Sequence, residues 1–177
     1  MADEGAKIFV SDVNKQALNS LKEEIPEIVI VEPEKIYDLD VDIFSPCALG
    51  GILNDDTIPR LKCKMIAGSA NNQLKYPERH CKMIKERNIV YIVDYILSAG
   101  GVINNSQQYN ENGYNKDAAY AQIKNNIVEN VKKVLDIAQK EKITTIEATG
   151  RLAEKRTQSA IERKSWYLRK ESKSIKV

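Results

Sequence analysis

Residues 42–51 read Asp42-Ile43-Phe44-Ser45-Pro46-Cys47-Ala48-Leu49-Gly50-Gly51, an apolar run of strand length that breaks into small side chains and paired glycines. Small residues at the carboxyl end of a strand let a flat molecule come close to the backbone. The pattern recurs. Lys64 to Ala67 opens into Gly68-Ser69-Ala70-Asn71-Asn72-Gln73-Leu74, and Val93-Asp94-Tyr95 is followed by Ser98-Ala99-Gly100-Gly101-Val102-Ile103-Asn104. Three such loops, each after a strand, would put their tips on one edge of a parallel sheet, where open α/β folds bind ligands.

Outward from that core, Lys7 to Ser11, Ile28 to Val31 and Ile89 to Val93 are further strand candidates, while Asn14 to Glu24 and Pro77 to Arg87 have helical length and polarity. Strands alternating with helices at this spacing predict βαβ units and a parallel sheet. Runs such as Ile-Phe-Val and Ile-Val-Ile-Val are nearly all apolar, which predicts strands covered on both faces. After the turn dipeptide Asn112-Gly113 the chain becomes helical. Ala119, Ile123, Ile127, Val131, Val134 and Ala138 trace one face of a long helix. Thr144-Thr145-Ile146-Glu147 has capping-box spacing and predicts the start of a second. The expected division is residues 1–112 as an α/β part with a parallel sheet and residues 113–177 as a helical segment packing on it.

Composition narrows the class. The 177 residues carry 27 Lys+Arg and 25 Asp+Glu, a net +2 that sets up no global field for nucleic acid or anionic lipid. A hydrophobic fraction of 42% with 29% charged residues suits a globular protein. No run approaches the ~18 apolar residues of a membrane span, and no signal-peptide layout is present. Cys47, Cys63 and Cys81 form no C-x-x-C, and His80 is the only histidine, so neither a disulfide framework nor a metal cluster is expected. A reducing, cytoplasmic setting fits. Residues 151–177 are basic, a feature that can bind nucleic acid but is more commonly a solvated helix face.

Ile8-Phe9-Val10-Ser11-Asp12 is an apolar strand ending in an acid. In a dinucleotide fold an Asp at the tip of the second strand accepts hydrogen bonds from the adenosine ribose and repels a 2′-phosphate. An Asp there also commonly caps the following helix. The glycine-rich phosphate loop belongs ~20 residues earlier, and no G-x-G-x-x-G occurs in the chain. Cys47 suggests a nucleophile, but no base is adjacent and His80 is 33 residues away, so a lining role is the simpler reading. Asn71 and Asn72 offer uncharged donors and acceptors suited to a carboxamide or carboxylate, though Asn-Asn is also ordinary turn chemistry.

Together these stretches resemble the NAD-binding part of the glutamate/leucine/phenylalanine/valine dehydrogenase superfamily, its leucine dehydrogenase branch above all. The strings that carry the likeness are Asp12-Val13-Asn14-Lys15, Pro46 to Gly51, Ile58 to Lys64, Ala67 to Lys75, Arg79-His80, Asp94-Tyr95, Ala99 to Asn104, Gly113-Tyr114-Asn115 and Arg151-Leu152-Ala153-Glu154. The resemblance implies a Rossmann-like, mostly parallel sheet lacking its first strand, followed by two long C-terminal helices. It implies reversible deamination of an apolar L-amino acid to its 2-oxo acid and ammonia, with NAD as hydride acceptor. Asp12 would hold the ribose and Val13 would lie beside the adenine. Cys47, Ala48 and Leu49 would line the adenine end. Ala70 and Asn71 would lie near the nicotinamide, Asn71 also facing substrate, and Val102 and Asn105 would reach the substrate side-chain pocket.

Two positions depart from the family pattern. Ser98 replaces a usual Asn, and Asn105 replaces a frequent Val, which weakens an aliphatic pocket. The family's catalytic and carboxylate-binding lysines and its catalytic Asp belong to a region preceding this one, so no catalytic residue is assigned and no turnover by this chain alone is expected. Without a central first strand, strands two and four would lose their shared neighbour. The alternative function is a non-catalytic remnant or assembly module that forms a homo-oligomer or pairs with a full-length subunit.

Overall fold

The computed structural model describes residues 2–111 and 113–174, with side chains to residue 164. The chain divides into two compact units, Met1–Asp94 and Tyr95–Val177.

The first unit holds five strands: β1 (Phe9–Val10), β2 (Val29–Ile30), β3 (Ile43–Phe44), β4 (Met65–Ile66) and β5 (Val90–Tyr91). Each is the paired centre of an apolar run read from the sequence. All pairings are parallel. They fall into two sheets, β1-β2 and β3-β4-β5, with registers Phe9↔Val29, Ile43↔Met65 and Met65↔Val90. Helix α1 (Lys15–Glu24) connects β1 to β2, and its N-cap Asn14 accepts the Ala17 N–H at 3.0 Å. Helix α2 (Pro77–Glu86) connects β4 to β5. Its pre-set Pro77 opens it, Ile84 and His80 are fully buried, and Asn88 in the left-handed region (φ 58°) turns the chain into β5. Leu53, Ile58, Leu61, Ile66, Ile84 and Val93 make the core of this unit.

The strands are not covered on both faces as their composition predicts. Val29, Ile30, Ile43 and Val90 remain 38–43% exposed. Val29 and Ile30 are consecutive and point to opposite faces, so both faces of β2 are partly open. Apolar composition records which surface wants burial; the neighbours that would bury it are not among the described residues.

In the second unit, α4 (Gly100–Ser106), α5 (Lys116–Glu141) and α6 (Thr145–Ser174) follow the short α3 (Asp94–Leu97). The stripe from Ala119 to Ala138 is buried or half-buried throughout. Lys142 in the left-handed conformation ends α5 (φ 56°), its N–H bonding the Ala138 carbonyl. The capping box forms as read: Thr144 N–H donates to Glu147 Oε2 at 2.7 Å and Glu147 N–H to Thr144 Oγ1 at 3.2 Å. Of the expected turn, Asn112 lies outside the described residues, while Gly113 adopts φ 77° and its N–H bonds the Asn110 carbonyl. One expectation fails. Ser98 to Asn104 is not an open loop, because α4 begins at Gly100. Gly100 lies close to α5, where an added Cβ would sit 3.6 Å from Ile123 Cγ2, and the packing of α4 against α5 overrides glycine's poor helix propensity. No helix among the described residues is long and apolar enough to cross a membrane.

Candidate functional site

The two small-residue loops that follow β3 and β4 are bonded into one structure. Ala70 N–H reaches the Pro46 carbonyl at 3.0 Å, Gly51 N–H the Asn72 carbonyl at 2.8 Å, Leu53 N–H the Gln73 carbonyl at 3.0 Å, and Lys75 N–H the Leu53 carbonyl at 3.0 Å. Glycine is required where the loops touch. A Cβ on Gly68 would lie 2.0 Å from the Pro46 carbonyl oxygen, and one on Gly50 would lie 2.8 Å from that of Asn71. Asn72 takes a left-handed turn (φ 51°). Gln73 is fully buried beneath it, and its Nε2 donates to the carbonyls of Gly68 at 2.8 Å and Ala70 at 2.9 Å. Its Oε1 is buried without a partner among the described residues. The result is a stiff double loop at the carboxyl edge of the three-stranded sheet.

Cys47 lies exposed on the first loop, its Sγ 3.3 Å from Ser45 Oγ. Partial burial pushes its thiol up, but hydrogen bonds from Ser45 and from the backbone and hydroxyl of Ser69 outweigh that and hold it below the ordinary value. Cys63 shows the contrary balance, since burial raises its thiol. Among the described residues no base adjoins Cys47, so the arrangement favours a thiolate without supplying a proton acceptor.

Ala48 and Leu49 are exposed beside Cys47, Leu49 to 75%. At the end of β1, Asp12 Oδ1 accepts the Asn14 N–H at 2.8 Å, and Oδ2 has no partner among the described residues. Asn14, not Asp12, caps α1, so Asp12 is not consumed by capping. Val13 beside it is 89% exposed. On the second loop Ala70 is 5% exposed and acts through its backbone, whereas Asn71 presents its carboxamide to solvent. Val102 and Asn105 belong to the second unit, where they sit three residues apart on one face of α4, Val102 being 74% exposed.

Sequence reading missed the frame under the loops. Tyr76 N–H donates to His80 Nδ1 at 2.9 Å, which leaves the proton on Nε2, 3.6 Å from Asp55 Oδ2. Arg79 Nη2 donates to Asp55 Oδ1 at 2.6 Å. The segment after β3 is thereby tied to the first turn of α2. One signal was available: Tyr76 cannot cap a helix through its side chain, and His80 stands four residues on. Gln73, next to those two asparagines, holds the loop with its carboxamide. Among the described residues no group of three His, Cys, Asp or Glu side chains could hold a metal ion.

A sequence model of the glutamate/leucine/phenylalanine/valine dehydrogenases matches residues 6–164. Leucine dehydrogenase from Thermoactinomyces intermedius is 46% identical over 166 residues, 94% of this chain and 44% of that protein. L-tryptophan dehydrogenase from Nostoc punctiforme is 46% identical over 160 residues, 90% of this chain and 44% of that one. The crystal structure of the Nostoc enzyme superimposes with a TM-score of 0.82 at 42% identity, covering 88% of this chain and 45% of the other. The chain thus spans less than half the length of the curated relatives it matches.

Proposed function

The chain belongs to the glutamate/leucine/phenylalanine/valine dehydrogenase family, and from that premise we propose that it is the cofactor-binding portion of an NAD-dependent amino-acid dehydrogenase acting on an apolar L-amino acid. The observation that supports this most is the stiff double loop at the carboxyl ends of β3 and β4, the edge where open α/β sheets receive ligands. The donor set fits the cofactor. Asp12 Oδ2 is free to accept from a ribose hydroxyl, and its charge disfavours a 2′-phosphate. Val13 and Leu49 hold aliphatic surface in solvent that an adenine ring could cover. Cys47 and Ala48 complete that end.

Held by these residues, NAD would supply hydride-acceptor chemistry for the substrate's α-carbon. This chain's share is orientation. Gln73 fixes the turn that carries Ala70 and Asn71, and the Asn71 carboxamide is placed to hydrogen-bond a nicotinamide amide or a substrate carboxylate. Val102 and Asn105 would set the side-chain pocket, and the polar Asn105 would broaden it beyond strictly aliphatic substrates. The partners are then NAD and an L-amino acid or 2-oxo acid, in a soluble, cytoplasmic setting that unpaired thiols suit. The second reading, an assembly module, is favoured by the uncovered strands.

Calorimetric titration of the chain with NAD tests the proposal. Asp12→Ala should weaken binding about tenfold, the value of a hydrogen bond to a charged acceptor, and NADP should bind more weakly than NAD. Equal affinity of wild type and Asp12→Ala for NAD would refute the ribose contact.

A further inference from the structure

Both small-residue loops end on one side chain. Past Gly50 and Gly51 the first loop runs through Leu53 to Asp55, and past Asn71 and Asn72 the second runs through Leu74 to Tyr76. Leu53 and Leu74 pair in a parallel bridge, with Leu53 N–H on the Gln73 carbonyl and Lys75 N–H on the Leu53 carbonyl, each at 3.0 Å. His80, in the first turn of α2, stands at the far end of that bridge. Its Nδ1 accepts the Tyr76 N–H at 2.9 Å, and its Nε2 lies 3.6 Å from Asp55 Oδ2. Arg79 donates to the other oxygen of Asp55 at 2.6 Å and so holds the carboxylate in place. The Asp55 turn leads back to the glycines of the first loop. Asn54 Oδ1 accepts the Asp56 N–H at 2.9 Å, and Asn54 Nδ2 donates to the Gly51 carbonyl at 3.2 Å. Gly51 N–H in turn bonds the carbonyl of Asn72, next to Asn71.

Packing alone does not account for a histidine at this point. His80 is fully buried, yet its Nε2 has no hydrogen-bond partner among the described residues, since 3.6 Å is too long for one. A buried donor left so costs stability, and an apolar side chain of similar size would fill the space without that cost. What the imidazole adds is two directed contacts, one to each loop. We propose that His80 is a positioning residue for the nicotinamide end of the cofactor, and that with Asp55 it fixes where the Asn71 carboxamide stands relative to Cys47, Ala48 and Leu49. This role rests on the reading of the two loops as a cofactor site. His80 acts through the backbone of both loops. With the clamp open, the adenine half of a dinucleotide would keep Asp12 and the first loop, while the nicotinamide half would lose Asn71.

Calorimetric titration of the full chain with NAD and with ADP-ribose, which lacks the nicotinamide, tests this. Asp55→Ala, at an exposed site, should lower NAD affinity about fivefold, the worth of one neutral hydrogen bond, and leave ADP-ribose affinity unchanged. Asp55→Asn keeps an acceptor oxygen and should recover most of the loss. His80→Asn, whose Oδ1 takes the place of Nδ1, keeps the Tyr76 bond and should match Asp55→Ala; the Asp55 pair decides alone should that buried variant lose its fold. In an Asn71→Ala background, Asp55→Ala should lower NAD affinity no further. Equal losses for both ligands, or additive losses in the double variant, would overturn the proposal, because the clamp would then serve the fold in general. Amide hydrogen exchange without ligand separates the clamp from the cofactor reading. Asp55→Ala should speed exchange at Leu53 and Lys75 about tenfold. Unchanged exchange overturns the clamp whether or not NAD binds, and faster exchange in a chain that binds neither ligand leaves the clamp standing and overturns the cofactor reading with the nicotinamide role.

Discussion

Cys47 shows how much one residue's chemistry depends on its neighbours. Its thiol is held below the ordinary value by Ser45 and Ser69 in spite of partial burial, whereas burial raises Cys63. The thiolate is the reactive form, so a lowered pKa moves the rise of reactivity to lower pH. Iodoacetamide followed by peptide mapping should modify Cys47 first, with its pH midpoint below that of a free cysteine and Cys63 midway only at higher pH. Ser45→Ala should shift the Cys47 midpoint upward; no shift would show that the serine donates nothing. Added NAD should slow the modification if the adenine end lies there. At this scale the sequence located Asp12, Val13, Leu49 and Asn71 in the segments that follow strands, and the structure has them after β1, β3 and β4. The tie made by Gln73 was not legible. A carboxamide facing solvent and one tying two carbonyls from beneath look alike until the left-handed turn at Asn72 is known.

At the scale of elements, the loop pair depends on close backbone approach more than on any side chain. Gly68→Ala places a methyl group against the Pro46 carbonyl and should cost at least about 1–3 kcal/mol as overpacking, read by urea unfolding. Gly101→Ala, with open space around its Cα, should not destabilise and serves as control. Thr144→Ala removes the capping-box hydroxyl at the start of α6 and should cost about 1 kcal/mol. Helices α1, α2, α5 and α6 and all five strands were readable because periodicity and caps are local signals. The Gly100–Ser106 helix was not, since its support comes from α5, a contact that local composition does not encode.

Over the whole molecule, burial is unevenly spent. Ile66 lies fully buried in the middle strand of its sheet, while Ile43 on the neighbouring strand is 43% exposed. Ile66→Ala should therefore cost about 2–5 kcal/mol and Ile43→Ala markedly less, by the same denaturation measurement; equal losses would mean that β3 is covered in solution. The parallel pairings Phe9↔Val29, Ile43↔Met65 and Met65↔Val90 all join residues 20–25 positions apart. Among the described residues no ladder joins β1 to β3. Loop closure is thus limited to short segments, and low contact order speeds folding. Each sheet can nucleate on its own βαβ unit without waiting for the other, so refolding of the first unit should be fast and should begin as soon as residue 31 has been made.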